Sequence, residues 1–138
     1  MITLIIGKKG SGKTKKLIQM ASEAIESSKG HVVVMEKGAK MTFDVHHRAR
    51  LIDFDEYSIR GYDAFYGFVC GVCACNYDVT DILIDSTLKI GGPNLEELAV
   101  FVAKLDKLSG HTQTKIVLSV SADENEIPDS INAVSVKI

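Results

Sequence analysis

Residues 7 to 14 read Gly7-Lys8-Lys9-Gly10-Ser11-Gly12-Lys13-Thr14, an instance of G-x-x-x-x-G-K-[ST]. Each residue type has a physical reason to be there. A loop can wrap a polyphosphate only if its backbone N–H groups converge on the anion, and glycines allow the close approach and the unusual dihedrals this needs. Lys13 adds a point charge for the β- and γ-phosphates, and Thr14 offers a hydroxyl to Mg²⁺. A helix starting near Lys13 aims the positive end of its dipole at the same place. The competing reading is a glycine turn that binds nothing.

A second group with chemical potential is Asp85, which follows the apolar run Ile82-Leu83-Ile84. A carboxylate at the end of a buried strand can hold Mg²⁺, directly or through water. The plain alternative is a strand-end aspartate near a helix N-terminus. Cys70, Cys73 and Cys75 form only C-x-x-C-x-C. Structural zinc needs four ligands, and on an apolar helix cysteine is a small hydrophobe, so a metal role is not expected. His46-His47 are read as incidental surface residues.

The elements around these residues supply the context. Ile2 to Ile6 is a β-branched apolar run of the kind a buried parallel strand requires. After the glycine loop, Leu17, Ile18, Ala21 and Ile25 share one helical face. His31 to Met35 reads as a second strand. Residues 37 to 60 are polar and irregular, with a short candidate strand at Leu51 to Phe54, and are expected to form an ordered excursion over the nucleotide edge. Tyr62 to Asn76 reads as a buried helix, weakened by Gly67 and Gly71 at about 1 kcal/mol each relative to alanine. Ile82 to Asp85 is the third strand. Asn94 can cap the next helix, with Glu97 as its partner, and Leu95, Leu98, Ala99, Val102 and Leu105 as its buried face ending at Ser109-Gly110. Ile116 to Val120 is the fourth strand, Ile127 to Ile131 a short helix, and Ala133 to Ile138 the fifth strand. Strands joined by helices predict a mostly parallel sheet with helices on both faces. Ligands of such sheets bind at the carboxyl ends of the strands, where the glycine loop and Asp85 both fall.

Composition sets the outer bounds. The chain has 138 residues, suited to a single domain over 1–138, and 46 % of them are hydrophobic, which argues against disorder. A formal charge of −2 gives no general attraction to nucleic acid. Lys8, Lys9, Lys13, Lys15 and Lys16 nevertheless gather around the glycine loop, and phosphate attraction with a solvated helix face accounts for them. No apolar stretch reaches membrane-spanning length, and the apolar start reads as a strand rather than a leader. Three clustered cysteines do not suggest a disulfide framework, so a cytoplasmic location is expected.

Gly7 to Thr14 together with Ile82 to Asp85 resembles the P-loop NTPase superfamily. The interval of roughly seventy residues between Lys13 and Asp85 is similar to that of its RecA-like and AAA-like branch. The chain also resembles short bacterial P-loop ATP-binding proteins. The resemblance implies a three-layer α/β/α fold, a five-stranded sheet in the order 5-1-4-3-2, and nucleotide contacts from Gly7, Lys8, Lys9, Gly10, Ser11, Gly12, Lys13 and Thr14. It implies Mg²⁺ on Thr14 and Asp85. Many ATPases of this branch place a glutamate straight after the Walker B aspartate, where this chain has Ser86. RecA-like members use a glutamate at the end of the second strand, which here is Glu36; it and Lys13 are the candidate catalytic residues. Ser119 and Ser121 are candidate γ-phosphate sensors. Arg48, Arg50 and Arg60 are the only arginines available as a finger, and nothing in the sequence singles one out.

The expected function is Mg²⁺-dependent binding and slow hydrolysis of a nucleoside triphosphate. The absence of N-K-x-D favours ATP over GTP. The alternatives are a nucleotide-gated regulatory or partner-docking module with little turnover, and a small-molecule kinase. The acidic run Asp123-Glu124-Asn125-Glu126 argues against the basic lid such a kinase would use. A homo-oligomer or a protein partner stays open; neither a membrane nor nucleic acid is expected as a partner.

Overall fold

A computed structural model describes residues 1–137. Among the described residues six strands form one sheet: β1 (Ile2–Gly7), β2 (His31–Glu36), β3 (Arg50–Asp53), β4 (Val79–Ile84), β5 (Lys115–Ser121) and β6 (Ser135–Lys137). Five α-helices connect them: α1 (Lys13–Ser27), α2 (Tyr62–Cys75), α3 (Thr87–Gly91), α4 (Leu95–Thr112) and α5 (Asp129–Asn132). The spatial order is β3-β2-β4-β5-β1-β6, and every pairing is parallel.

The expectation of five strands is therefore corrected to six. Arg50–Asp53 pairs with β2 in the register Met35 to Ile52 and Glu36 to Asp53, and becomes an edge strand. It is only four residues long, with one fully inward residue, Ile52, so it carries little hydrophobic periodicity of its own. The other five strands stand in the relative order β6-β1-β5-β4-β2, with β5 between β1 and β4. The expected last strand extends to Ile138, which lies outside the described residues.

Two apolar layers hold the sheet. On one face α1 packs Leu17, Ala21 and Ile25 against Ile5, Val32, Val34, Leu83 and Val117. On the other, α2 and α4 cover Leu4, Val33, Met35, Ile82, Ile84 and Leu118 with Phe65, Val69, Leu98, Phe101, Val102 and Leu105. Alternate residues of one strand thus feed opposite layers, as the two-residue period of a strand requires. Phe54, Phe65 and Phe101 form an aromatic spine, with centroids 5.1 and 4.4 Å apart. Burying each such ring is worth about 1.5–3 kcal/mol, which outweighs the glycines that weaken α2.

Element ends differ from expectation where tertiary bonds extend them. α4 runs to Thr112, past Gly110; Ser109 Oγ donates to Thr114 O at 2.6 Å, and left-handed Gln113 ends the helix. Its start is as anticipated, with Asn94 Oδ1 accepting from Glu97 N at 3.0 Å. The short helix α3 was not anticipated. Five residues are too few to display a periodic pattern, and it is held by burial of Thr87 and Ile90.

Candidate functional site: a lysine-lined cleft at the carboxyl edge

β1 ends at Gly7, opposite Ser121 of β5, and the chain then turns sharply. Gly10 and Gly12 take φ of 83° and 90°, a left-handed conformation that side chains resist. Ser11 N donates to Lys8 O at 3.1 Å and Lys16 N to Gly12 O at 3.0 Å, so α1 begins directly from the loop. Lys13 Nζ donates to Lys8 O at 2.9 Å, and the ammonium lies folded back across its own loop. The loop, Lys13 and Thr14 open into a cleft of about 500 Å³.

Asp85 forms the floor. It follows β4, and its amide donates to Met35 O at 2.9 Å, which ties it to β2. Only 9 % exposed, its carboxylate accepts from three hydroxyls: Ser119 Oγ at 2.7 Å, Thr14 Oγ1 at 3.1 Å and Ser86 Oγ at 3.3 Å. Ser119 also accepts from Ser86 N at 2.8 Å. Ser86 holds φ 57°, a conformation uncommon for a serine, and the bond to Ser119 is one of the contacts it makes there. β5 lies beside β4, which brings Ser119 to Asp85, and beside β1, whose following loop and helix bring Thr14, so the sheet order itself assembles this cluster.

The donor set suits Mg²⁺. That ion takes oxygen ligands, commonly one or two from protein, and completes its shell with phosphate and water. Thr14 and Asp85 supply a hydroxyl and a carboxylate in contact. Among the described residues no group of three or more His, Cys, Asp or Glu could hold a metal ion, so a cation here would depend on phosphate oxygens and water. Of the three cysteines only Cys73 is buried in the core, where burial pushes its thiol up; Cys70 is half-buried and Cys75 exposed.

The predicted site residues do not all converge. Lys9, Gly10, Gly12, Lys13, Thr14, Asp85, Ser119 and Ser121 border the cleft. Ser119 is 1 % exposed and engaged with Asp85, while Ser121 sits at the open rim. Gly7 and Lys8 border a neighbouring hollow with Asp123, and Lys8 Nζ lies 3.7 Å from the Asp123 carboxylate. Glu36 stands apart. Its carboxylate is 2 % exposed and accepts from Lys40 N at 3.0 Å and Met41 N at 3.2 Å, under the loop that follows β2. Burial pushes its pKa up, the two amide bonds pull it partly back, and Asp53 and Asp85 raise it further. Arg48 and Arg50 flank a hollow at the opposite, amino edge of the sheet beside His31 and Val79. Arg60 precedes α2 and does not border the cleft.

Two cleft residues lie outside the motifs read from the sequence. Lys40 comes from the loop after β2, and Lys89 from α3. The offset of four residues from Asp85 to Lys89 could have suggested one turn beyond a strand end. Nothing local marks Lys40.

Compared with known proteins, the chain matches no family model and no curated protein. The all-parallel α/β fold is compatible with a P-loop NTPase. Among the described residues no helix is long and apolar enough to cross a membrane.

Proposed function

We propose that this chain is a P-loop NTPase of the RecA-like branch that binds a Mg²⁺–nucleoside triphosphate, ATP by preference, and hydrolyses it slowly. The observation that carries the reading is the contact of Thr14 with Asp85, 71 positions apart in sequence, beside Lys13 and two left-handed glycines. Chance would have to supply the motif, the hydroxyl–carboxylate pair and their common strand edge together. In this reading the loop amides and Lys13 bind the phosphates. Thr14 and Asp85 hold Mg²⁺, which when bound neutralises phosphate charge. Ser119 and Ser86 orient the Asp85 carboxylate, and Ser121 faces the terminal phosphoryl group. Lys13 leaves Lys8 O for phosphate when ligand enters.

A second reading, a nucleotide-gated module with little turnover, is favoured by two features. Ser86 is a weak base where many ATPases carry glutamate, and the Glu36 carboxylate is already engaged by two amides. Calorimetric titration with MgATP and MgGTP tests binding, and phosphate release with and without candidate acceptors separates hydrolase, module and kinase. Lys13→Ala should fold normally, since Lys13 Nζ bonds only the surface loop, and lose at least about 100-fold in triphosphate affinity, the scale of charge-assisted bonds to phosphate. Unchanged affinity in the folded variant would sink the assignment.

A further inference from the structure

Five lysines border the cleft, Lys9, Lys13, Lys15, Lys40 and Lys89, against the single carboxylate of Asp85. Three of them come with the glycine loop and the start of α1. Lys40 and Lys89 do not. They arrive from two other connections, after β2 and after β4, the strands that carry the Asp85 side of the cleft. Among the described residues no arginine borders it.

Lys40 is not there by the accident of a floppy loop. Glu36 accepts from its backbone amide and from that of Met41. Asp53 accepts from Gly38 N at 2.8 Å, and Gly38 takes φ 91° to make the turn. The next side chain, Met41, is 1 % exposed and belongs to the apolar layer that α1 packs on the sheet, with Leu17, Ala21 and Val34. Asp44 N and Val45 N then close a turn on Met41 O at 3.0 and 3.1 Å. A buried carboxylate, a second carboxylate and a core methionine thus fix the backbone on both sides of one exposed lysine. Lys89 is fixed differently. Thr87 and Ile90 bury the helix that bears it, and Lys89 N donates to Ser86 O at 3.0 Å.

We propose that Lys40 and Lys89 form the second wall of the nucleotide site, binding the terminal phosphoryl group opposite Lys13, so that the cleft distinguishes triphosphate from diphosphate. The inference rests on the nucleotide reading above and adds the residues that read the γ-phosphate. A cation brought to that group by a fixed backbone stabilises the charge it carries, which is the task an arginine finger performs elsewhere. Glu36 is then a positioning residue, acting through Lys40. The clamp also gives the 37–49 segment a reason to respond to the nucleotide state, since the terminal phosphate is the only part of the ligand lost on hydrolysis.

The test is titration calorimetry with MgATP and MgADP on wild type, Lys40→Ala, Lys89→Ala and Lys40→Arg, with Lys13→Ala as control. Each alanine variant should lose about tenfold or more in ATP affinity, as expected for one charge-assisted bond, while ADP affinity moves less than about twofold. Lys40→Arg should restore most of the difference. Equal loss for both nucleotides would reduce the lysines to a general positive field and overturn the proposal, as would no change for either. Should Lys13→Ala lose both nucleotides while Lys40→Ala and Lys89→Ala bind like wild type, the nucleotide reading stands and the clamp falls. A wild type that binds neither ATP, ADP, GTP nor GDP removes the nucleotide reading and the clamp with it.

Discussion

Glu36 and Asp85 are two buried carboxylates at the carboxyl ends of neighbouring strands, yet they are solvated by the protein in opposite ways. Asp85 is surrounded by the hydroxyls of Thr14, Ser86 and Ser119. Hydroxyls rotate, and they accept as well as donate, so the Asp85 lone pairs can be released to a cation at small cost. Glu36 is held by the backbone amides of Lys40 and Met41. Amides cannot rotate away without unmaking the loop, and a buried N–H left without a partner costs about 1–3 kcal/mol. The same residue chemistry thus yields a ligand-ready group in one place and an architectural anchor in the other. The nature of the donors decides which.

The comparison breaks most readily at Asp85. Asp85→Asn should bind MgATP about 10- to 100-fold more weakly while leaving Mg²⁺-free ATP binding near wild type, because only the cation loses its charged ligand. A variant with undiminished Mg²⁺ dependence would place the cation elsewhere. The next largest effect concerns Glu36. Glu36→Ala frees the Lys40 turn and should lower ATP-over-ADP discrimination about tenfold, like Lys40→Ala. Glu36→Gln keeps Oε1, which accepts from both amides, and should retain discrimination and hydrolyse within about threefold of wild type. A fall of about 10²–10⁴-fold in single-turnover rate for Glu36→Gln would restore the water-orienting role that the family resemblance implies, and make the amide bonds a resting state.

A smaller effect tests the Asp85 shell. Ser119→Ala removes a buried bridge between Asp85 and Ser86 N and should cost about 1–2 kcal/mol of stability, read by denaturant unfolding, with a severalfold loss in Mg²⁺-dependent affinity. Stability loss alone would leave Ser119 a packing residue. The smallest effect is on pH. Burial raises the Glu36 pKa in the fold, so the folded state holds more protons than the unfolded one above the ordinary glutamate value of about 4.3. Its contribution is therefore complete below that value and is lost as pH rises through the raised pKa. Glu36→Gln should flatten that decline in Tm. Parallel Tm profiles for the two proteins would mean that the two amide bonds cancel the burial cost.

Much of the layout was written in local pattern. Four specified positions, Gly7, Gly12, Lys13 and Thr14, mark a tight glycine loop, because only glycine takes the φ near +90° found at Gly10 and Gly12 without strain. The apolar, β-branched runs at Ile2, His31, Ile82 and Ile116 mark buried strands by their composition, and Asp85 is conspicuous as a charge ending such a run. The edge strand Arg50–Asp53 shows in sequence only as a short candidate at Leu51 to Phe54, because its stability comes from pairing with β2 rather than from its own four residues. What β1 to β6 place next to one another was decided in three dimensions. Ser119 meets Asp85 only because β5 lies beside β4, and Lys40 enters the cleft only because Glu36, Asp53 and buried Met41 bend its loop back. Lysine carries no local signature of what its ammonium will face, and a carboxylate carries none of whether amides or hydroxyls will surround it. Motif chemistry is a property of short sequence, whereas the partners of a side chain from another connection depend on chain closure and packing, which only the assembled sheet provides.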